Sequence, residues 1–324
     1  MRAVIFGAGN IGSRLHERLI EAKHEVNCVV RRDGVYKGRP GHLERRASFC
    51  DIDNFLSGVD IGFIAIPAIE DGKVAFDDMK YLLSRGVPVV SCEKGALGNY
   101  FPELKRDMGM IGFNATCGGG TGMLDFANCS FQLGSIERIY AIVNGTLNFV
   151  FDSLSRGVGL DEIIKESRLR GYSEPGSGGV VDLINREMKD VALKSSILVN
   201  TLGLGEVRAR EFQLNVLTES DVRELVTQAE RYRVMVSLSC YDSGIKPIGG
   251  FEEAIGDWKL SGGFVDTRSL SNFSGVLPSG VGNMIYLQGN HHFVSMWGDG
   301  AGVEPTVSTM MNDARRFTGK RNVA

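Results

Sequence analysis

The sequence predicts an α/β protein, a doubly wound parallel sheet followed by a second domain of α+β type. Three observations carry the prediction. Short β-rich runs alternate with helical patterns through the first third of the chain. A glycine motif, GAGNIG, stands at residues 7–12 between the first such run and the first helical pattern. After a second glycine cluster at 118–122 the alternation gives way to long helical stretches and grouped strands.

The elements follow in order. Ala3–Phe6 reads as a short apolar strand, and Ile11, Leu15 and Leu19 then recur at helical spacing. Val26–Val30 is strand-like. Ile61–Ile66 (IGFIAI) and Val87–Ser91 (VPVVS) are continuous apolar runs, as in parallel strands covered on both faces, with a helix over Phe76–Leu83 between them. Strands joined in this way take right-handed crossovers. Beyond residue 122 the spacing predicts helices over Leu147–Ser155, Leu160–Leu169, Val180–Leu202 and Ser220–Tyr232. Strands are expected over Val234–Leu238, Met284–Leu287 and Phe293–Met296, and a last helix over Thr306–Phe317. The first domain is placed at 1–125, joined by a C-terminal helix within 300–324, and the second at 126–299.

Composition narrows the function. The 324 residues carry 36 Lys and Arg against 39 Asp and Glu, a net charge of −3, without the basic stripe of a nucleic-acid binder. No apolar run approaches the roughly 20 residues that span a bilayer, and the N-terminus lacks the features of a signal peptide. Six scattered cysteines with no C-x-x-C pair read as reduced thiols in a cytoplasmic protein. Five histidines show no metal spacing; His291 and His292 are adjacent and would face opposite sides of a strand, so no protein-held metal is expected. Glycine is the outlier, with 42 residues, and part of the excess falls into clusters at 7–12, 118–122 and 298–302.

In GAGNIG, Gly7, Gly9 and Gly12 fit G-x-G-x-x-G, the fingerprint of a Rossmann-type dinucleotide domain. Gly7 permits a tight turn, Gly9 lets a pyrophosphate approach, and Gly12 packs the helix on the strand. Asn10 and Ile11 lie at the helix N-terminus, where backbone N–H groups and the dipole attract phosphate. The strand–turn–helix context is what gives the motif its weight. At the end of the second strand stand Arg31 and Arg32, whose charge and donor geometry suit a 2′-phosphate. They favour NADPH, while the neighbouring Asp33 leaves NADH open.

The 180–202 helix carries charges on its apolar face. At about 100° per residue, Leu183, Glu187, Asp190, Lys194 and Leu198 share one arc, and Lys189, Ser196 and Asn200 lie opposite. Asp190 and Lys194 thus sit one turn apart among apolar neighbours. Burial is costly for unpaired ions, so such a pair is a functional candidate as well as an ordinary i,i+4 ion pair.

Six segments in order resemble homoserine dehydrogenase: SCEKGAL (91–97), NATCGGGTG (114–122), VNGTLNF (143–149), GYSEP (171–175), DVALK (190–194) and GDGAGVEPT (298–306). They span nearly the whole chain. The resemblance implies a nucleotide-binding first domain and a catalytic and dimerisation second domain, in a homodimer. It implies NADPH-dependent, reversible reduction of L-aspartate 4-semialdehyde to L-homoserine. Lys194 would donate the proton, with Asp190 orienting it. Glu174, helped by Tyr172, would bind the substrate ammonium, and Gly145 and Thr146 would line the pocket. Lys94 would serve both catalysis and the cofactor, and Gly300, Ala301 and Gly302 would close over the nicotinamide.

The chain departs from the family pattern in three places. Glu93–Lys94 stands where the family reads Asn-Lys. The span from GYSEP to DVALK is lengthened, and Asp182 is the acid that could stand in for the family's D-x-x-G aspartate. Asn114 replaces the glutamate with which relatives hold a monovalent cation, which leaves that ion uncertain. Two other readings compete with the resemblance: an oxidoreductase of another small amino or oxo acid, and a non-catalytic dinucleotide sensor.

Overall fold

The computed structural model describes residues 1–133, 136–170, 172, 179–241, 246–269 and 277–318. The chain divides into two compact units, Met1–Thr116 with Val303–Ala324, and Cys117–Gly302.

The first unit opens with β1 (Arg2–Phe6), α1 (Asn10–Glu21) and β2 (Glu25–Arg31). An antiparallel hairpin, β3 (Gly34–Arg39) and β4 (His42–Ala47), follows. Then come β5 (Ile61–Ile64), α2 (Lys73–Leu83), β6 (Val89–Ser91), α3 (Lys94–Leu104) and β7 (Ile111–Gly112). The sheet order is β4-β3-β2-β1-β5-β6-β7, and the five strands from β2 to β7 in that order are parallel. Winding reverses at β1, with β2 on one side and β5 on the other, so a crevice opens beyond their carboxyl ends. The β3–β4 hairpin and the short β7 were absent from the sequence prediction. Most positions of β4 (HLERRA) are exposed, so it shows no apolar alternation; its charges suit an uncovered edge.

The second unit contains α4 (Met123–Leu133), β8 (Ile136–Ile142), α5 (Gly145–Ser155), α6 (Leu160–Leu169), α7 (Val180–Thr201) and α8 (Glu219–Thr227). The strands β9 (Tyr232–Ser239), β10 (Ile248–Ile255), β11 (Trp258–Asp266), β12 (Gly282–Gly289) and β13 (Phe293–Asp299) complete it. They form an antiparallel sheet of order β10-β11-β9-β8-β12-β13. The helix expected to run to Tyr232 stops at Thr227. A Thr218–Asp221 capping box starts it, and Tyr232 opens β9, every residue of which is buried. His291 and His292 are exposed in the turn between β12 and β13, not on a strand.

The last helix, α9 (Val303–Thr318), returns to the first unit. Its Val307, Met310 and Ala314 join Ala3, Ile5, Leu15, Ile61 and Phe63 in one core. The units part at Thr116 and Gly302, where the sequence reading had placed the cuts at 125 and 299. The glycine loop goes with the second unit because Gly120 N–H donates to Asp299 O at 3.0 Å. Among the described residues, no helix is long and apolar enough to cross a membrane.

Candidate active site

The first unit carries the glycine turn at which the sequence predicts a dinucleotide. Gly7 takes φ +108° at the end of β1, and a Cβ there would stand 2.2 Å from Ala65 O. A Cβ on Gly12 would stand 2.3 Å from Gly7 O, so both positions exclude any side chain. Gly9 differs: a Cβ there would meet no protein atom within 4 Å. The space over Gly9 therefore belongs to the crevice. No side chain caps α1 and its first turn carries no acid, so the positive end of the dipole at Asn10 and Ile11 is left for an anion.

Arg31 ends β2, and Arg32 and Asp33 form the turn to β3. Arg31 and Arg32 are exposed there, and the Arg31 guanidinium lies 5.0 Å from the Tyr36 ring centroid. Tyr36 Oη donates to Asp33 Oδ2 at 2.5 Å, which holds the Asp33 carboxyl below its usual range. The acid that left NADH open is thus engaged by a tyrosine.

Lys94 is the first residue of α3, and its neighbour Glu93 is the N-cap. The Glu93 carboxylate accepts from the Gly95 N–H at 2.6 Å and the Ala96 N–H at 2.8 Å. Burial pushes this carboxyl up, against the pull of those two bonds. Glu93 thus caps α3 directly before Lys94.

The second unit holds the ionic cluster. Lys194 Nζ pairs with Asp190 Oδ2 at 2.7 Å, their side chains 9% and 17% exposed. The same Nζ donates to Val143 O at 2.7 Å. The next residue, Asn144, caps α5: its Oδ1 accepts from the Leu147 N–H at 2.7 Å. Its Nδ2 donates to Asp190 Oδ2 at 2.9 Å and to Glu187 Oε2 at 2.8 Å. The apolar setting of the Asp190–Lys194 pair is as the helical wheel implied. The polar side of that wheel is not: Ser196 and Asn200 are buried, Ser196 bonding Leu193 O and Asn200 bonding both backbone groups of Val207. The C-terminal half of α7 is covered all round, with backbone groups satisfying its polar residues.

The other substrate candidates gather beside α5. Thr146 Oγ1 donates to Tyr172 O at 2.5 Å, and the Tyr172 ring meets Phe149 edge-on at 5.4 Å. A Cβ on Gly145 would stand 2.7 Å from Val281 O and 3.2 Å from Ala301 Cβ. Gly300 covers Asn283 so closely that a Cβ would fall 2.0 Å from its Cγ, and Gly302 takes φ +119°. A cavity of about 580 Å³ lies against Tyr172, Phe149, Val281 and Gly282; neither Lys194 nor Asp190 lines it. Glu174 lies outside the described residues.

A family model described as homoserine dehydrogenase matches residues 123–314, more than half of the chain. The chain belongs to the homoserine dehydrogenase family. As a member it is an oxidoreductase acting on a CH–OH group. A homoserine dehydrogenase of Pyrococcus horikoshii is 26% identical over 341 aligned positions, covering 98% of this chain and 97% of that one. Among solved structures, the Thermoplasma acidophilum homoserine dehydrogenase superposes with TM-score 0.71 at 18% identity, over 98% of this chain and 99% of that one. A hyperthermophilic archaeal homoserine dehydrogenase in complex with NADPH gives TM-score 0.69 at 21% identity, over 98% of each chain. At these identities the superpositions speak for the fold, a parallel-sheet unit with an antiparallel-sheet unit.

Where relatives carry a glutamate, Asn114 is bonded to Asp313. Its backbone N–H donates to Asp313 Oδ2 at 2.9 Å and its Nδ2 to Asp313 Oδ1 at 2.8 Å. Asp182, the proposed stand-in acid, is exposed in the first turn of α7, whereas Glu187 joins Asp190 at the Asn144 amide. Two residues of the cluster went unassigned from the sequence. Asn144 had a readable signal, an asparagine directly before a helical run. Glu187 lay on the right arc of the wheel, but nothing in the pattern named its partner.

Proposed function

We propose that this protein catalyses the reversible, NADPH-dependent reduction of L-aspartate 4-semialdehyde to L-homoserine. The observation that carries the reading is the largely buried Lys194–Asp190 pair, fixed to Val143 O on a segment with the family's N-G-T-x-N motif.

Reduction requires a hydride on the carbonyl carbon and a proton on its oxygen. NADPH, when bound, supplies the hydride, which no side chain can. Lys194 supplies the proton. Two of its three N–H bonds are committed to Asp190 and Val143, and the third serves the substrate oxygen. The ammonium steadies the developing alkoxide and then protonates it. Asp190 holds Nζ in place throughout. In the reverse direction the neutral lysine takes the hydroxyl proton of homoserine.

The remaining roles follow the family residue by residue. Gly7, Gly9, Asn10, Ile11 and Gly12 would hold the pyrophosphate, and Arg31 with Arg32 the 2′-phosphate. Lys94, Gly300 and Gly302 would serve the nicotinamide end. Glu174 and Tyr172 would take the substrate ammonium, and Gly145 and Thr146 would line its pocket. The open space over Gly9 and the Tyr36–Asp33 bond support NADPH in this place. We also infer a homodimer in the cytoplasm. Phe293 and Trp297, 64% and 63% exposed on the edge strand β13, support a partner. Six free cysteines support a reducing compartment.

The test is an assay of purified protein with L-aspartate 4-semialdehyde and NADPH or NADH, following loss of the reduced nicotinamide absorbance. Turnover is expected, faster with NADPH. Lys194→Ala is expected to lose about 10²–10⁴-fold in kcat while still binding cofactor. No turnover with either cofactor overturns the reading; turnover of a different small aldehyde alone moves the substrate.

A further inference from the structure

Lys194 is held in a closed ring of hydrogen bonds. From Val143 O the path runs to Lys194 Nζ, to Asp190 Oδ2, to Asn144 Nδ2, and back along the backbone to Val143. The ring joins α7 to the start of α5, which carries Gly145 and Thr146. Its weak point is the carboxamide of Asn144, because an amide has two hydrogens and the ring uses one. The other is taken by Glu187 Oε2, one turn before Asp190 on the same face of α7.

The orientation of that amide is determined by its surroundings. Oδ1 faces the Leu147 N–H and Nδ2 faces two carboxylates, so a flipped amide would set oxygen against oxygen on one side and donor against donor on the other. Asn144 is only 3% exposed, and a buried donor left without a partner is costly. Glu187 therefore fixes both the rotation and the satisfaction of Asn144. It also shares one amide with Asp190, so that two like charges approach across a common donor.

We propose that Glu187 is a positioning residue for the proton donor: acting through the Asn144 carboxamide, it holds Asp190 and hence Lys194 Nζ in register with the Gly145–Thr146 turn. The substrate contacts Lys194, and Glu187 stands one bond further back. Its contribution is geometric, so a neutral acceptor of the same length does the same work.

The proposal rests on Lys194 as proton donor, and its test is separable from that reading. Glu187→Ala, Glu187→Gln, Asn144→Ala and the Glu187→Ala/Asn144→Ala double variant are assayed with L-aspartate 4-semialdehyde and NADPH, beside thermal unfolding of each. Glu187→Ala is expected to lower kcat about tenfold, the cost of one hydrogen bond to a charged group, with KM for NADPH unchanged. Glu187→Gln is expected to restore most of that loss, since Gln Oε1 accepts the same N–H. In the Asn144→Ala background the Glu187→Ala change is expected to lower kcat less than it does in the parent, since the shared amide is already gone. An inactive parent enzyme would sink the proton-donor reading itself. An active parent with an equally active Glu187→Ala variant sinks only the role of Glu187. A Glu187→Gln variant as impaired as Glu187→Ala, with the loss in KM for the semialdehyde, would instead make Glu187 a substrate-binding charge and overturn the proposal. Should Glu187→Ala fail to fold, the Glu187→Gln kinetics alone decide between the two.

Discussion

The carboxylate of Asp313 accepts two hydrogen bonds from Asn114, one from the backbone N–H at 2.9 Å and one from Nδ2 at 2.8 Å. Asp313 is 3% exposed and Asn114 5%. A buried carboxylate is tolerated only when its oxygens are satisfied, and Asn114, with Arg316 3.9 Å away, helps α9 carry this acid into the first unit. Asp313→Ala strands the two donors and is expected to cost about 3 kcal/mol, read from the urea midpoint. Asn114→Asp sets two carboxylates together; its loss of stability is expected to be large at pH 8 and smaller at pH 5. An unchanged midpoint in both variants would show that the pair contributes nothing.

Gly7 and Gly9 separate stability from binding. Gly7→Ala drives a methyl into Ala65 O from a left-handed backbone and is expected to destabilise the first unit strongly. Gly9 already has φ −75° and open space around it. Gly9→Ala is therefore expected to change stability by less than about 0.5 kcal/mol, yet to weaken dinucleotide binding by roughly tenfold or more. Calorimetric titration with NADPH beside a thermal melt checks both. Intact binding in Gly9→Ala would remove the crevice from consideration.

Arg31 discriminates between the cofactors if it meets a 2′-phosphate. Arg31→Ala is expected to raise KM for NADPH and leave KM for NADH nearly unchanged. The stacking of Arg31 on Tyr36 adds a second variant. Tyr36→Phe releases Asp33 but keeps the ring, so it is expected to improve use of NADH. Equal effects of Arg31→Ala on both cofactors would refute the assignment.

How much of this was readable in the sequence depends on what each residue's role requires. The core strands Ala3–Phe6 and Ile61–Ile64, and the glycines between β1 and α1, announce themselves because burial on both faces demands apolar runs and a tight turn demands glycine. The Asp190–Lys194 pair was readable because charges on an apolar helical arc break the pattern. The β3–β4 hairpin was not, since an exposed edge imposes no periodicity. Neither was the Asn114–Asp313 bond, which joins residues 199 positions apart. Glu187 was visible as an acid on the right face, but only coordinates could supply Asn144 as its partner.

Asp78 gives the fold a pH dependence away from the site. On α2, burial pushes its carboxyl up to about 7, and the neighbouring charge of Asp77 adds to this. Its folded value lies above the unfolded one, so it favours the fold fully below about pH 4. That advantage is lost as pH rises toward 7, where the folded protein must ionise a half-buried acid. Asp78→Asn is expected to raise the melting temperature at pH 8 and change it little at pH 4. A stabilisation independent of pH would rule out this origin.

The return of α9 has a consequence for how the protein is made. Val307, Met310 and Ala314 fill the same core as Ala3 and Ile5, yet they leave the ribosome about 300 residues later, roughly 15–60 s at about 5–20 residues per second. During that interval the early strands stand with part of their apolar surface uncovered, while every residue of Cys117–Gly302 has already been synthesised. The first unit is thus begun first and finished last, and nascent chains held short of α9 are the ones that chaperones should find.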